Sequence, residues 1–396
     1  MLSCKDARQW LRWVPCIFWM MQLELCAIVS LWRQSGTTFV HRISPSLDFH
    51  DFLTAASLWA TGRNPYSDPR FVTPPFSLTV GIAGRHLAHS PALFLVVNIL
   101  CICLATYLLA KTFHLSRSAR LALLGSVLAF YPVYFLLERG NIDGLVLLLF
   151  AVSLCARNTL TRAAVLALAN NLKLYTLLPS VFKAIRHRWR EVGLLVTVTI
   201  AFAIPFGHWD RVFVHNLLTR ATLTTGTENL SPAWILGSAL KHWQVRLGYL
   251  LLWSVTLLLA VRKLSDLEDN RAAVWLTPWM VSIPFQVYPY SGILFIALLA
   301  EWISEAGIME SKARNIVVAL GLCLVGVQQQ ALTEAFGWLV RSHRFFPFLN
   351  TLGVVLLAVS ATMARSNDTQ HRGIELSDES VQIAFTNSGA ISGAIR

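Results

Sequence analysis

The chain of 396 residues is 55% hydrophobic and only 14% charged, with 14 Trp, 22 Phe and a mean hydropathy of +0.55; this composition excludes a soluble domain of such length. A hydrocarbon core about 30 Å thick needs ~20 helical residues per crossing. No lipid-out, lumen-in alternation argues for a barrel, so a polytopic all-α membrane protein is expected. The formal net charge of +12 falls in short clusters between apolar runs, the pattern of positive-inside topology and not of a nucleic-acid-binding face.

In chain order, the apolar runs predict helices near 11–32, 75–87, 91–110, 119–137, 142–156, 163–182 and 192–206. A second group is expected near 247–261, 273–288, 292–303, 316–328 and 347–363. That makes about twelve spans in a single membrane domain over 1–364, followed by a polar, Ser-rich cytoplasmic tail over 365–396. The first run follows Lys5, Arg8 and Arg12 and lacks a small-residue cleavage site, so a retained first helix is expected. The basic cluster "KAIRHRWRE" from Lys183 to Glu191 belongs on the cytoplasmic side. The segments 34–73 and 207–231 then become the first and second outer loops. Cys16, Cys26, Cys101, Cys103, Cys155 and Cys323 lie in apolar stretches with no metal-site spacing, so no cysteine metal site and no cofactor are expected, while the sequence leaves a metal requirement open.

Polar residues are concentrated in a few places. Within "SPSLDFHDFLTAASLWATGRNPYSDPRFVTPPF", Asp51 to Ala60 predicts a short juxtamembrane helix with Phe52, Ala55, Ala56 and Trp59 on one side. Asp48, at its start, is either a general base facing a pocket at the membrane surface or, as Asp51 also could be, a helix cap; spacing alone favours the cap. "FLLERGNIDG" sets Glu138, Arg139, Asn141 and Asp143 between two apolar runs. That group suits sugar or phosphate binding and equally suits a plain surface loop. Lys173 lies inside an apolar run with Asn170 and Asn171. A charge there faces a cavity or a partner, unless it snorkels. His208, Asp210, Arg211, His215, Arg220, Glu228 and Asn229 are candidates to hold an acceptor, in a stretch that reads equally as a soluble loop. Glu24, Gln22 and Gln328 to Gln330 are expected to hydrogen-bond between helices.

The order "LDFHDFLTAASLWATGRNPYSD", "FVTPPFSL", "ERGNIDGLVLLL", "ANNLKLYTLLPSVFKAIRHRWRE", "TENLSPAW" resembles glycosyltransferase family 87 over roughly residues 10–300. These are GT-C-type membrane enzymes that use polyprenyl-phosphate sugars, mannosyltransferases among them. The resemblance puts Asp48 at the family's first-loop catalytic acid, Tyr66 at its Pro-Tyr turn, Asn141 at the asparagine of Gly-Gln-x-Asn and Lys173 at the lysine of Lys-x-x-Pro. The chain departs from the family in reading "ERGNIDG" for Gly-Gln-x-Asn and in lacking a Trp-x-His-His pattern at "IPFQVYPYSGIL".

The resemblance implies an inverting transferase, with Asp48 as base and Lys173 and Arg139 on the donor phosphate. Asp51, Tyr66, Glu138, Asn141, His208 and Asn229 complete the expected substrate-binding set. The implied partners are a polyprenyl-phosphate sugar, a glycan or glycolipid acceptor and membrane lipid, in the plasma (inner) membrane. No nucleotide-sugar site, P-loop or Gly-rich phosphate cradle is present, as suits a lipid-borne donor. The rival functions are a lipid-linked-sugar flippase and a polysaccharide polymerase or ligase.

Overall fold

A computed structural model describes residues 10–32, 47–67, 73–86, 91–179, 182, 189–220, 230–265, 267–283, 289–304, 311–328, 332 and 345–363. These residues contain no strand. The order begins α1 (Val14–Trp32), α2 (Leu47–Ala60), α3 (Leu78–His86), α4 (Pro91–Thr112), α5 (Arg117–Ala129), α6 (Tyr131–Arg139), α7 (Asp143–Cys155) and α8 (Thr159–Leu172). It continues with α9 (Trp189–Ala203), α10 (Gly207–Arg220), α11 (Trp243–Leu264), α12 (Asp269–Trp275), α13 (Thr277–Ser282), α14 (Phe295–Trp302), α15 (Lys312–Val325) and α16 (Phe345–Thr362).

Four stretches are long and apolar enough to cross a membrane: Pro91–Thr112, Trp189–Asn216, Trp243–Leu264 and Phe345–Thr362. A fifth forms if α5 and α6, bent by 48°, count as one broken span. The bend falls at Phe130, whose extended backbone separates the two helices, and Pro132, in the first turn of α6, has no N–H with which to continue the hydrogen bonds of α5. Val14–Ile28, Pro75–Gly84, Asp143–Cys155 and Ser291–Trp302 are apolar but shorter than a crossing. The expectation of about twelve spans therefore meets four or five full-length stretches and several short ones among the described residues.

Three expected boundaries move. The run expected as one helix over 163–182 stops at Leu172, with Lys173 extended (φ −150°) and a 3-10 turn over Leu174–Leu177. The run expected to end near Phe206 continues through a 3-10 turn into α10, so the segment expected as the second outer loop opens as a helix whose first part belongs to the Trp189–Asn216 stretch. The run over 273–288 divides into the short α12 and α13, with Pro278 in the first turn of α13. The basic residues 183–188 and the tail over 365–396 lie outside the described residues.

The core that holds the bundle is built from Trp19, Trp275, Trp279 and Trp302, each at most 1% exposed, with Phe130, Phe135, Phe150 and Phe295. α15 crosses α16 closely, since a Cβ on Gly353 would stand 2.6 Å from the backbone nitrogen of Val325. A second, smaller cluster, including Phe52, Tyr66, Leu78, Ile142, Leu172 and Phe213, lies under the first-loop helix. It gathers α2, α7, the end of α8 and α10, the elements that carry the polar residues of interest.

Candidate active site

α2 begins four residues earlier than the apolar pattern indicates, which puts Asp48 in its first helical turn. Phe52, Ala55 and Ala56 are buried on the inner side, as expected, and Trp59 packs partly buried beside Phe206, 5.5 Å between ring centroids. The helix stops in a Schellman motif. Gly62 adopts φ +71°, its N–H bonds to the Trp59 carbonyl and the Arg63 N–H to the Leu58 carbonyl. Asn64 then accepts from the Tyr66 N–H at 2.9 Å, and the Tyr66 hydroxyl donates to the Thr73 carbonyl at 3.0 Å. Tyr66 thus ties the two sides of its loop together, and burial, with the Asp210 carboxylate adding, pushes its phenol pKa up.

The facing piece is the junction of α6 and α7. Gly140 takes the left-handed conformation (φ 65°) that ends α6, with its N–H on the Leu136 carbonyl. The chain turns there, so Arg139 at the end of one helix and Asn141 just past the turn point at the same group. The Arg139 Nε and Nη2 atoms lie 2.9 and 2.7 Å from Asp48 Oδ1, and Asn141 Nδ2 donates to Asp48 Oδ2 at 2.5 Å. Both carboxylate oxygens of Asp48 are therefore taken up by side chains some ninety residues away, and the residue is only 8% exposed. Such charge-assisted bonds fix the orientation of a carboxylate far more firmly than a solvated cap would. The Asn141 Oδ1 atom is buried and has no hydrogen-bond partner among the described residues.

Behind this junction lies a second ion pair. Lys173 Nζ stands 3.9 Å from Asp143 Oδ2, and the Ser291 hydroxyl donates to the same oxygen at 3.4 Å. Asp143 is fully buried at the start of α7. Lys173 owes its direction to the end of α8. Its N–H still bonds to the Ala169 carbonyl, while its extended backbone leaves the helix. The Thr176 hydroxyl closes the turn on Asn170 Oδ1 at 2.5 Å. Asn171 anchors α8 to α9 through the Thr199 carbonyl at 3.3 Å.

Asp48, Arg139 and Asn141 thus meet directly, and Lys173 joins them through Asp143, two residues after Asn141. Asp51 and Glu138 are partly buried close by in sequence, each engaged in interactions of its own. His208 is exposed and packs edge-on against Trp209, with centroids 4.8 Å apart. Asn229 lies outside the described residues. Asp143 and Ser291 are absent from the expected set. The signal for Asp143 was available: a lysine inside an apolar run calls for a counter-ion, and a carboxylate opening an apolar helix is a candidate. Nothing in the sequence marks Ser291. No group of three or more His, Cys, Asp or Glu able to hold a metal occurs among the described residues.

The family model of glycosyltransferase family 87 matches residues 71–282, and no curated protein matches the chain. The match carries Arg139, Asn141, Asp143 and Lys173, while Asp48 and Tyr66 precede it and Ser291 follows it. Spanning more than half of the chain and coinciding with a helical bundle that holds membrane-crossing stretches, that match makes this chain a member of glycosyltransferase family 87, a membrane glycosyltransferase.

Proposed function

We propose that the protein transfers mannose from a polyprenyl-phosphate donor to an acceptor hydroxyl, with inversion, on the outer face of the plasma membrane. The observation that carries this reading is the convergence of Arg139 and Asn141 on the Asp48 carboxylate beside the Lys173–Asp143 pair. A carboxylate aimed by two donors, with Lys173 and its buried partner Asp143 beside it, suits a reaction whose leaving group is already a lipid-borne anion.

In the step proposed, the acceptor hydroxyl gives its proton to an Asp48 oxygen while its own oxygen bonds to the anomeric carbon. The bond from that carbon to the phosphate oxygen breaks, and its electron pair leaves with polyprenyl phosphate. A stable phosphate needs no acid to depart, so one carboxylate suffices where a glycosidase uses two. Arg139, at the edge of the site, has the planar fork that matches phosphate oxygens, and Lys173 supplies the second positive charge. The unpartnered Asn141 Oδ1 offers an acceptor for a substrate hydroxyl next to the base. Tyr66 acts here by holding the first loop in shape.

The donor class is tested by offering the purified protein radiolabelled mannose on polyprenyl phosphate, on polyprenyl diphosphate and on a nucleoside diphosphate, with a mixed cell-envelope extract as acceptor. Transfer from the monophosphate alone is expected. Transfer from the diphosphate-linked sugar would favour a polymerase or ligase, and label carried across a vesicle without a new glycosidic bond would favour a flippase.

A further inference from the structure

Asp48 and Asp143 both stand close to the proposed chemistry, and they differ in what they can reach. Asp48 keeps 8% of its surface exposed, whereas Asp143 keeps none. A side chain with no exposed surface cannot meet an acceptor hydroxyl, so Asp143 is not a second base. Its charge is nonetheless supported from several directions. It opens α7, where the N–H groups of a first helical turn favour an anion. The Ser291 hydroxyl donates to its Oδ2 atom at 3.4 Å, and Lys173 Nζ stands 3.9 Å from the same oxygen. An ion buried this completely persists only with such partners.

The carboxylate is seated by close packing. A Cβ on Gly144 would stand 2.5 Å from Asn98 Oδ1, so the first turn of α7 rests directly against α4. Ser291 lies in the 3-10 turn Pro289–Leu294. A Cβ on Gly292 would stand 3.1 Å from the side chains of both Pro132 and Leu230, which seats that turn on α6. The ammonium is placed differently. Lys173 leaves α8 with an extended backbone, and its flexible four-carbon stem is not aimed by the backbone alone. Its side chain is 12% exposed, so Lys173 links a wholly buried carboxylate to accessible surface. The neighbouring charges, Asp48 and Arg139, are engaged with each other at 2.7 Å.

We infer that Asp143 is a positioning residue for the donor: from within the bundle it aims the Lys173 ammonium at the sugar phosphate and sustains its charge, without touching substrate itself. The inference rests on the reading of Lys173 as a ligand of the donor phosphate. An ammonium moved alone into an apolar bundle is penalised, and a carboxylate at its side offsets that penalty. The rigid seat of Asp143 thereby passes to a side chain whose own stem is flexible. Ser291 stands one step further back, on the carboxylate, and brings residues that follow the family match into the donor site. A carboxylate that merely competed with the phosphate for Lys173 would have the opposite effect, because its removal would strengthen donor binding.

The test uses the full chain in nanodiscs as wild type, Asp143→Asn, Ser291→Ala and the double variant Asp143→Asn with Ser291→Asp, which returns a carboxylate to the same place from the facing turn. Binding of radiolabelled polyprenyl phosphate is measured without acceptor. Transfer from polyprenyl-phosphate mannose gives the donor KM and the amount of cell-envelope extract that half-saturates the reaction, both per folded molecule. Asp143→Asn is expected to raise the polyprenyl-phosphate Kd and the donor KM by about tenfold or more, as for loss of one contact to a charged group. The half-saturating amount of extract should not change. Ser291→Ala should move the same two constants in the same direction by about threefold, and the double variant should recover most of the loss.

Unchanged or lower Kd and donor KM in folded Asp143→Asn would overturn the inference, the lower values marking a carboxylate that competes for Lys173. An equal rise in donor KM and in half-saturating extract would also overturn it, by reducing Asp143 to support of the site as a whole. If Asp143→Asn does not fold, Ser291→Ala decides, since it leaves both charges in place; unchanged Kd and donor KM there overturn the inference. Wild type that binds polyprenyl phosphate but transfers nothing overturns the transferase reading alone, and the binding comparison still decides on Asp143. Wild type that neither binds nor transfers overturns both.

Discussion

Asp48, which its sequence position permits as a helix cap or a reacting carboxylate, spends its oxygens on Arg139 and Asn141 across the molecule, the geometry on which its proposed role as base rests. The three residues were legible as candidates, since polar groups in so apolar a chain stand out. Their pairing was not, because nothing in a sequence says which groups ninety residues apart will face each other. The pairing of Asp143 was hidden for the same reason: the lysine that needs it lies thirty residues further on and the pair forms only when α8 ends at Leu172. Tyr66 shows the reverse case, a residue expected to touch substrate whose hydroxyl serves the Thr73 carbonyl. Tyr66→Phe is expected to lower stability by about 1 kcal/mol, the net worth of one hydrogen bond, and to leave both KM values unchanged. Thermal unfolding and steady-state kinetics check this; a KM rise of tenfold with unchanged stability would return Tyr66 to the substrate-binding set.

Among the elements, apolar periodicity located most helices to within a few residues, and the Gly62-Arg63-Asn64-Pro65 turn was readable from its residue types. The interruptions were harder. Pro132 signals the 48° bend only to a reader who trusts one proline over two apolar runs, and the stop at Lys173 has no Gly or Pro to announce it. The Schellman turn gives an element-scale test, since Gly62 alone sets where α2 ends and so how the loop reaches Tyr66. Gly62→Ala puts a side chain at φ +71° with no clash nearby. The cost is then backbone strain alone, roughly 1–2 kcal/mol. A lower unfolding midpoint with normal turnover per folded molecule is expected. A midpoint equal to or above that of the wild type would show that the turn is not under this constraint.

For the whole molecule, the helical membrane class followed directly from composition, whereas the number of crossings did not, because α3, α7 and α14 are too short to span alone and their role depends on what surrounds them. The region beyond the family match, from 283 onward, contributes more than closure. It supplies Ser291 to Asp143 and buries Glu301 completely against Arg271, with Nη2 at 2.6 Å from Oε1. Arg314 stacks over Trp275, 4.2 Å from the ring centroid, in the same part of the bundle. Removing one partner of a buried pair strands the other charge, at a cost of about 3–5 kcal/mol. Glu301→Ala should therefore unfold at a much lower temperature than the wild type, while the folded fraction transfers sugar normally. An unchanged midpoint would mean that Arg271 is solvated in the variant and that this pair does not hold the bundle together.

The central claim is that Asp48 is the base of a membrane glycosyltransferase, and the most direct measurement compares purified wild type with Asp48→Asn in transfer of radiolabelled mannose from polyprenyl phosphate. Asparagine keeps the size of the side chain and can still accept a bond from Arg139 on its one oxygen, but it removes the counter-ion of that guanidinium, so a lower unfolding midpoint is expected and turnover is compared per folded molecule. Loss of a general base lowers turnover by ~10²- to 10⁴-fold, and the account predicts a kcat reduced in that range with donor KM little changed. Wild-type turnover in a folded Asp48→Asn variant would contradict it and move the base elsewhere.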